Sequence, residues 1–226
     1  MCGRFALPAN YEKIENLIPN KKVKIKSEIK SRYNIAPTQM ISVISSENPD
    51  EVSEFKWGLI PSWSKDDSLA SKMINARSET IFEKPSFKNL VMRRRCLIPA
   101  GGYYEWKSLG KASKIPFYIT PNEDELLTFA GLWDTWKFND RIIHTTTIIT
   151  CEPSNDISFI HNRMPVIIKK QNRNQWLELN IKKEDLTSWF IPTEDNYFKY
   201  YEVEKHVNNP SFDAELCLQP KKYEIF

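Results

Sequence analysis

Apolar and polar residues alternate in several short stretches of this chain, the pattern of a strand with one buried face. Residues 40–44 and 52–57 carry it on either side of Glu47-Asn48-Pro49-Asp50, and the pair predicts a hairpin. Further strands are predicted over 95–98, 115–120, 126–132, 144–151 and 200–207. The stretch 144–151 is rich in Thr and Ile, as a buried strand would be. Helical spacing is rarer. It predicts a short amphipathic helix over 10–18, with Ile14, Leu17 and Ile18 on one stripe, and helices near 171–179 and 183–190. Many strands with scattered short helices predict one α+β domain.

The composition agrees with short elements. The 226 residues contain 14 Pro but only 6 Gly, so fixed turns punctuate the chain. Hydrophobic residues make up 41% and charged residues 27%, which excludes a disordered, collagenous or coiled-coil chain. No run approaches the roughly 18 apolar residues of a membrane span, and there is no signal core; a soluble, cytoplasmic protein is expected. Cys2, Cys96, Cys151 and Cys217 show no metal-ligand spacing with each other or with the three histidines, so neither metal nor cofactor is expected. Free thiols are expected in a reducing compartment.

The net charge of +3 does not itself announce a nucleic-acid binder. The basic residues are clustered, however: residues 21–32 hold six of them against one Glu, and Arg93-Arg94-Arg95 forms a second run. A solvated face and a phosphate-binding strip are both compatible with 21–32.

Several positions can carry chemistry. If Met1 is removed, Cys2 becomes a 1,2-aminothiol, with an amine of pKa about 7.7–8.0 and a thiol near 8.5. Such a pair captures aldehydes: the amine forms an imine and the thiol closes a thiazolidine ring. It could equally serve as an N-terminal nucleophile in amide hydrolysis, or Cys2 could be an ordinary small residue. Trp57 and Trp63 flank a turn, either stacking on unpaired bases or filling the core. In Asn75-Ala76-Arg77-Ser78-Glu79-Thr80, Arg77 offers a planar fork for phosphate, while Ser78 could simply begin a helix. Glu105 lies among large apolar neighbours, where a carboxyl gains a raised pKa useful for proton transfer, unless it is a strand-edge surface group. His161, in a dense polar and proline setting, is a candidate acid/base group or a structural histidine.

Taken in order, these segments resemble one family. Cys2-Gly3-Arg4-Phe5, Tyr33-Asn34-Ile35-Ala36-Pro37-Thr38-Gln39, Trp57-Gly58-Leu59-Ile60-Pro61, Asn75-Ala76-Arg77-Ser78-Glu79-Thr80, Cys96-Leu97-Ile98-Pro99-Ala100, Tyr103-Tyr104-Glu105-Trp106, Ala130-Gly131-Leu132-Trp133 and His161-Asn162-Arg163-Met164-Pro165-Val166 resemble the SOS response-associated peptidase (SRAP) proteins, which shield abasic DNA sites. The match spans nearly the whole chain. The resemblance implies a single SRAP domain over 1–226, α+β, with a mixed, barrel-like sheet core and short peripheral helices.

It also implies a covalent thiazolidine crosslink between Cys2 and the ring-opened abasic aldehyde in single-stranded DNA, with single-/double-strand junctions a candidate context. Catalytic roles fall to Cys2, Asn75, Glu105 and His161. DNA-binding roles fall to Arg4, Asn34, Trp57, Trp63, Arg77, Ser78, Met164 and Pro165. Release of Met1 by the protein itself and an abasic-site lyase side reaction belong to the same expectation, as does a monomer that associates with the nucleoid through DNA. Two competing functions are a peptidase acting on other proteins and a non-covalent single-strand binder using the basic segments and tryptophans.

Overall fold

The computed structural model describes residues 2–110 and 113–222; Met1, whose removal the aminothiol reading requires, lies outside the described residues. The strands are β1 (Phe5–Leu7), β2 (Lys24–Ile25), β3 (Arg32–Ile35), β4 (Met40–Ser45), β5 (Glu51–Trp57), β6 (Asn75–Arg77) and β7 (Arg95–Ala100). They continue with β8 (Gly102–Ser108), β9 (Lys114–Pro121), β10 (Leu127–Phe138), β11 (Arg141–Cys151), β12 (Met164–Pro165) and β13 (Phe198–Glu202). Four short helices sit at the periphery: α1 (Tyr11–Glu15), α2 (Leu90–Arg93), α3 (Arg173–Leu177) and α4 (Lys183–Ser188).

Five strands close on themselves. In the order β11-β10-β7-β4-β5 each pairs antiparallel with the next, and β5 returns to β11 in a parallel pairing at Lys56↔Thr145 and Trp57↔Thr146. The fold is therefore α+β around a small mixed barrel. A second, wholly antiparallel sheet, β13-β9-β8-β1-β3, packs beside it. Phe5 of that sheet packs edge-on against Trp57 and Phe129 of the barrel, with ring centres 5.3 and 5.7 Å apart, so one apolar core serves both sheets. Gly58 makes the barrel closure possible: its φ is +128°, and a Cβ there would lie 2.4 Å from the Ala70 carbonyl oxygen.

The hairpin over 40–57 forms as its alternation predicts. Four elements are shorter than their periodicity. The first helix ends at Glu15, where the Asn16 side chain bonds back to the Glu12 carbonyl; Leu17 and Ile18 stay buried without being helical. The helices near 171 and 183 end at Leu177 and Ser188. The last strand ends at Glu202, and residues Lys205–Asn208 turn into a 3-10 helix.

The basic segments are also altered by their surroundings. Lys21 pairs with Asp50 at 2.6 Å, Lys26 with Glu51, and Arg32 with Asp213. Arg95 is fully buried and donates to the carbonyls of Val91, Trp176 and Glu178, while Arg94 pairs with Asp134 at 2.5 Å. Half of the first run and two of the three arginines of the second are thus engaged within the fold, while Lys22, Lys24, Lys30 and Arg93 stay exposed. No helix among the described residues is long and apolar enough to cross a membrane.

Candidate active site

Three pairings bring the sequence-predicted catalytic residues together. β8 runs antiparallel to β1, with Phe5 opposite Tyr103 and the Tyr104 amide donating to the Arg4 carbonyl at 2.9 Å, so it delivers Glu105 alongside the start of the chain. β6 runs parallel to β11 with Asn75 beside Ile148. β11 ends at Cys151, and β12 returns to pair Met164 with Cys151 and Pro165 with Thr150. The chain between them loops back over the sheet end and carries His161.

Cys2 is completely buried. Its carbonyl accepts from Asn75 Nδ2 at 3.0 Å, and the same amide nitrogen donates to the Ile74 carbonyl at 2.8 Å. Asn75 Oδ1 is buried and has no hydrogen-bond partner among the described residues. The Cys2 thiol is held far above its ordinary pKa, by burial first and then by the negative charge of Glu105, so it is neutral in this state. Glu105 is 3% exposed, and burial raises its carboxyl to about 8. His161 Nε2 lies 3.9 Å from Glu105 Oε2.

The histidine tautomer follows from its other nitrogen. Nδ1 accepts the Arg163 amide N–H at 3.1 Å, so the proton of the neutral ring sits on Nε2, the nitrogen nearest Glu105. Burial lowers the pKa of His161, which keeps it neutral at physiological pH. A neutral imidazole N–H thus stands beside a carboxyl that is partly protonated near neutrality, a pair able to give and take protons. Arg77, exposed at the end of β6, lines with His161 and Arg163 an open cavity of about 670 Å³.

The other predicted residues separate into two groups. Arg77 and the half-buried Ser78, which starts a 3-10 helix, remain at the surface beside the cavity. Trp63 is 64% exposed, but none of the contacts that join the four catalytic candidates includes it. Trp57, in contrast, is 0% exposed, with Nε1 donating to the Ile74 carbonyl at 3.0 Å. Its ring has no face to offer a base; it braces the segment that carries Asn75. Met164 and Pro165 are buried in β12, where they fix the His161 loop to the barrel and cannot touch DNA through their side chains.

Asn34 is likewise internal. Its Nδ2 donates to the carbonyls of Val207, Asn209 and Phe212, and its Oδ1 accepts from Arg4. Arg4 spends Nη1 on Asn34 and on the Val207 carbonyl, at 2.7 Å each, with its guanidinium over the Trp106 ring. Both residues stitch the two ends of the chain together.

The sequence pattern of the SOS response associated peptidase (SRAP) family matches residues 1–210. The chain belongs to the SRAP family. Among its curated relatives, the abasic site processing protein YoaM of Bacillus subtilis is 38% identical over 226 residues, covering 99% of this chain and 100% of the relative. The abasic site processing protein HMCES of Gallus gallus is 33% identical over 193 residues, which are 74% of this chain and 56% of that protein. Among solved structures, a protein from Bacteroides thetaiotaomicron superposes with a TM-score of 0.86 at 27% identity, covering 98% of this chain and 100% of that one.

Two supporting residues of this SRAP site escaped the sequence reading. Arg163 grips Glu79 with both terminal nitrogens, at 2.5 and 2.9 Å, and reaches the Thr150 carbonyl at 2.6 Å, so the His161 loop is tied to the segment after Arg77. Tyr103 lies fully buried one strand repeat from Glu105, its hydroxyl without a partner. Arg163 was legible as the only cation next to His161; Tyr103 reads as core until the fold is known.

Proposed function

We propose that this protein captures abasic sites in single-stranded DNA by forming a thiazolidine with Cys2. The observation that carries the proposal is the grouping of Asn75, Glu105 and His161 around a cysteine that Met1 removal converts to an aminothiol. The names of its relatives, abasic site processing proteins, support the same reading.

In this mechanism the Nε2–H of His161 passes its proton to the ring oxygen of the abasic sugar as the C1′–O bond breaks, the C1′ hydroxyl gives its own proton to the Glu105 carboxylate, and Glu105 returns it to Nε2, so the aldehyde appears with both side chains as they began. The Cys2 amine, relieved of its extra proton by Glu105, adds to C1′. Glu105 returns that proton to the departing hydroxyl, and water and an imine result. The thiol then adds across the C=N bond, its proton passing to the nitrogen, and the five-membered ring closes. The net change is aldehyde plus aminothiol to thiazolidine plus water. Glu105, at about 8, suits this double duty because both of its forms are populated near neutrality.

Asn75 holds the Cys2 backbone through its carbonyl, and its unpartnered Oδ1 is an acceptor open to the new ammonium. Arg77 holds a neighbouring phosphate. An imine that escapes ring closure loses its 3′ phosphate by β-elimination, which accounts for a lyase side reaction.

The test is direct. Single-stranded DNA containing uracil is treated to excise the base, incubated with the protein and run on a denaturing gel. A heat-stable shifted band that Cys2→Ala abolishes is the expected result; absence of that band from the wild type overturns the proposal.

A further inference from the structure

The strand that carries Glu105 continues past the site as an open surface. On β8, residues 103, 105 and 107 share one face; directly opposed residues in the next strands project the same way. Glu105 faces Phe117, Lys107 faces Ile115, and on the far strand Tyr200 faces Ile119. This face is closed at Tyr103 and Ile119 and opens toward Lys107, Phe117 and Tyr200.

Phe159, two residues before His161, folds over its edge. The rings of Phe159 and Tyr200 stand 5.3 Å apart, those of Phe117 and Phe159 6.1 Å, and those of Phe117 and Tyr200 6.5 Å, all edge to face. Lys107 Nζ sits 4.7 Å above the Phe159 ring. Phe159 is 44% exposed and Tyr200 39%. Phe159 and Tyr200 thus face solvent, braced by the half-buried Phe117 and with an ammonium over Phe159, on the same sheet face as Glu105.

We infer that Phe117, Phe159 and Tyr200 form a stacking platform for the unpaired base of a nucleotide next to the abasic one, with Lys107 beside the adjoining backbone. The inference rests on the reading of Cys2 as the residue that captures abasic DNA, and names a subsite of that same interface. Its occupant follows from the surroundings. The platform is continuous with the row of residues that leads from Glu105, so a strand held at His161 must leave over it or away from it. Rings that brace one another edge to face need no further ordering, and the exposed surface of Phe159 and Tyr200 suits a base of any identity. The cation over Phe159 matches the phosphate that such a base brings with it. Stacking of this kind changes affinity about 5- to 150-fold per base.

The experiment reads non-covalent binding, so it does not depend on crosslinking. Cys2→Ala protein, with and without the pair Phe159→Ala and Tyr200→Ala, is titrated by fluorescence anisotropy against three oligonucleotides. Each carries a stable abasic analogue; one has ordinary flanking bases, and the others replace the 5′ or the 3′ neighbour by a second base-less analogue. With the platform intact, loss of one of the two flanking bases should weaken binding about tenfold. In the triple variant that difference should vanish, with thermal melting showing an unchanged fold. Equal sensitivity to the missing base in both proteins, or no sensitivity in either, overturns the platform. Failure of the wild type to crosslink any such DNA would instead overturn the reading of Cys2, and the anisotropy result would stand apart from it.

Discussion

Replacing Glu105 by Gln should stabilise the protein increasingly as the pH rises, while removing its activity. The carboxyl is buried and its pKa is raised from about 4.5 to about 8. Between those values the folded protein retains a proton that the unfolded chain has released, so wild-type stability falls as pH rises through this window. The slope is about 1.4 kcal/mol per pH unit, and the whole window amounts to a ceiling on the order of 5 kcal/mol. Gln is neutral throughout and carries no such slope.

The assay is urea unfolding followed by tryptophan fluorescence from pH 7 to 9.5, above the ordinary pKa of histidine, from which burial lowers His161 further. Groups common to both proteins cancel in the difference. That difference should widen in favour of Glu105→Gln by about 1.4 kcal/mol per unit up to pH 8, then level off. Loss of the proton carrier should slow crosslinking about 10²- to 10⁴-fold. A stability difference that stays flat across the range would refute the buried-carboxyl argument.

Three further outcomes are expected. Asn34→Ala removes four hydrogen bonds from a sealed position and strands the three carbonyls they satisfied; a loss of roughly 3–5 kcal/mol is expected by urea unfolding. A near-neutral Asn34→Ala that bound DNA more weakly would make Asn34 a DNA contact instead. Gly58→Ala adds a Cβ 2.4 Å from a backbone oxygen at φ +128°, and should lower stability by roughly 3–5 kcal/mol, read from its melting temperature. Arg163→Lys cannot reproduce the two-pronged grip on Glu79, and should slow crosslinking about tenfold in a gel time course with stability changed by no more than about 1 kcal/mol.

The chemistry of the site was more legible than its supports. Cys2, Asn75, Glu105 and His161 stand in segments whose residue types already suggest proton transfer and aldehyde capture, and the structure groups them. The hairpin over 40–57 was legible because alternation and turn chemistry are local. Barrel closure was not: the pairing of Trp57 with Thr146 joins residues far apart in sequence, and no local pattern announces it. Burial was equally hidden. Trp57 and Trp63 lie six residues apart in similar company, yet one is sealed and the other open, because the chain turns at Gly58 between them. The Arg93–Arg95 run looked like a charge patch, but β7 passes through the core and takes Arg95 inward, where backbone carbonyls satisfy it. Charge runs in sequence show how many cations there are, not which ones face water.

The bond between Arg4 and the Val207 carbonyl spans 203 positions of sequence. It also acts as a clock. While the chain is being synthesised, the segment that follows Cys2 lacks this tie, because residues near Val207 have yet to appear. An ordinary aminopeptidase has its opportunity then, on an extended and accessible end. Once Arg4 and Asn34 close on residues 207–212, the start of the chain is held in its folded place. The order of folding and trimming then bears on how much newly made protein presents the free Cys2 amine that the proposed capture requires.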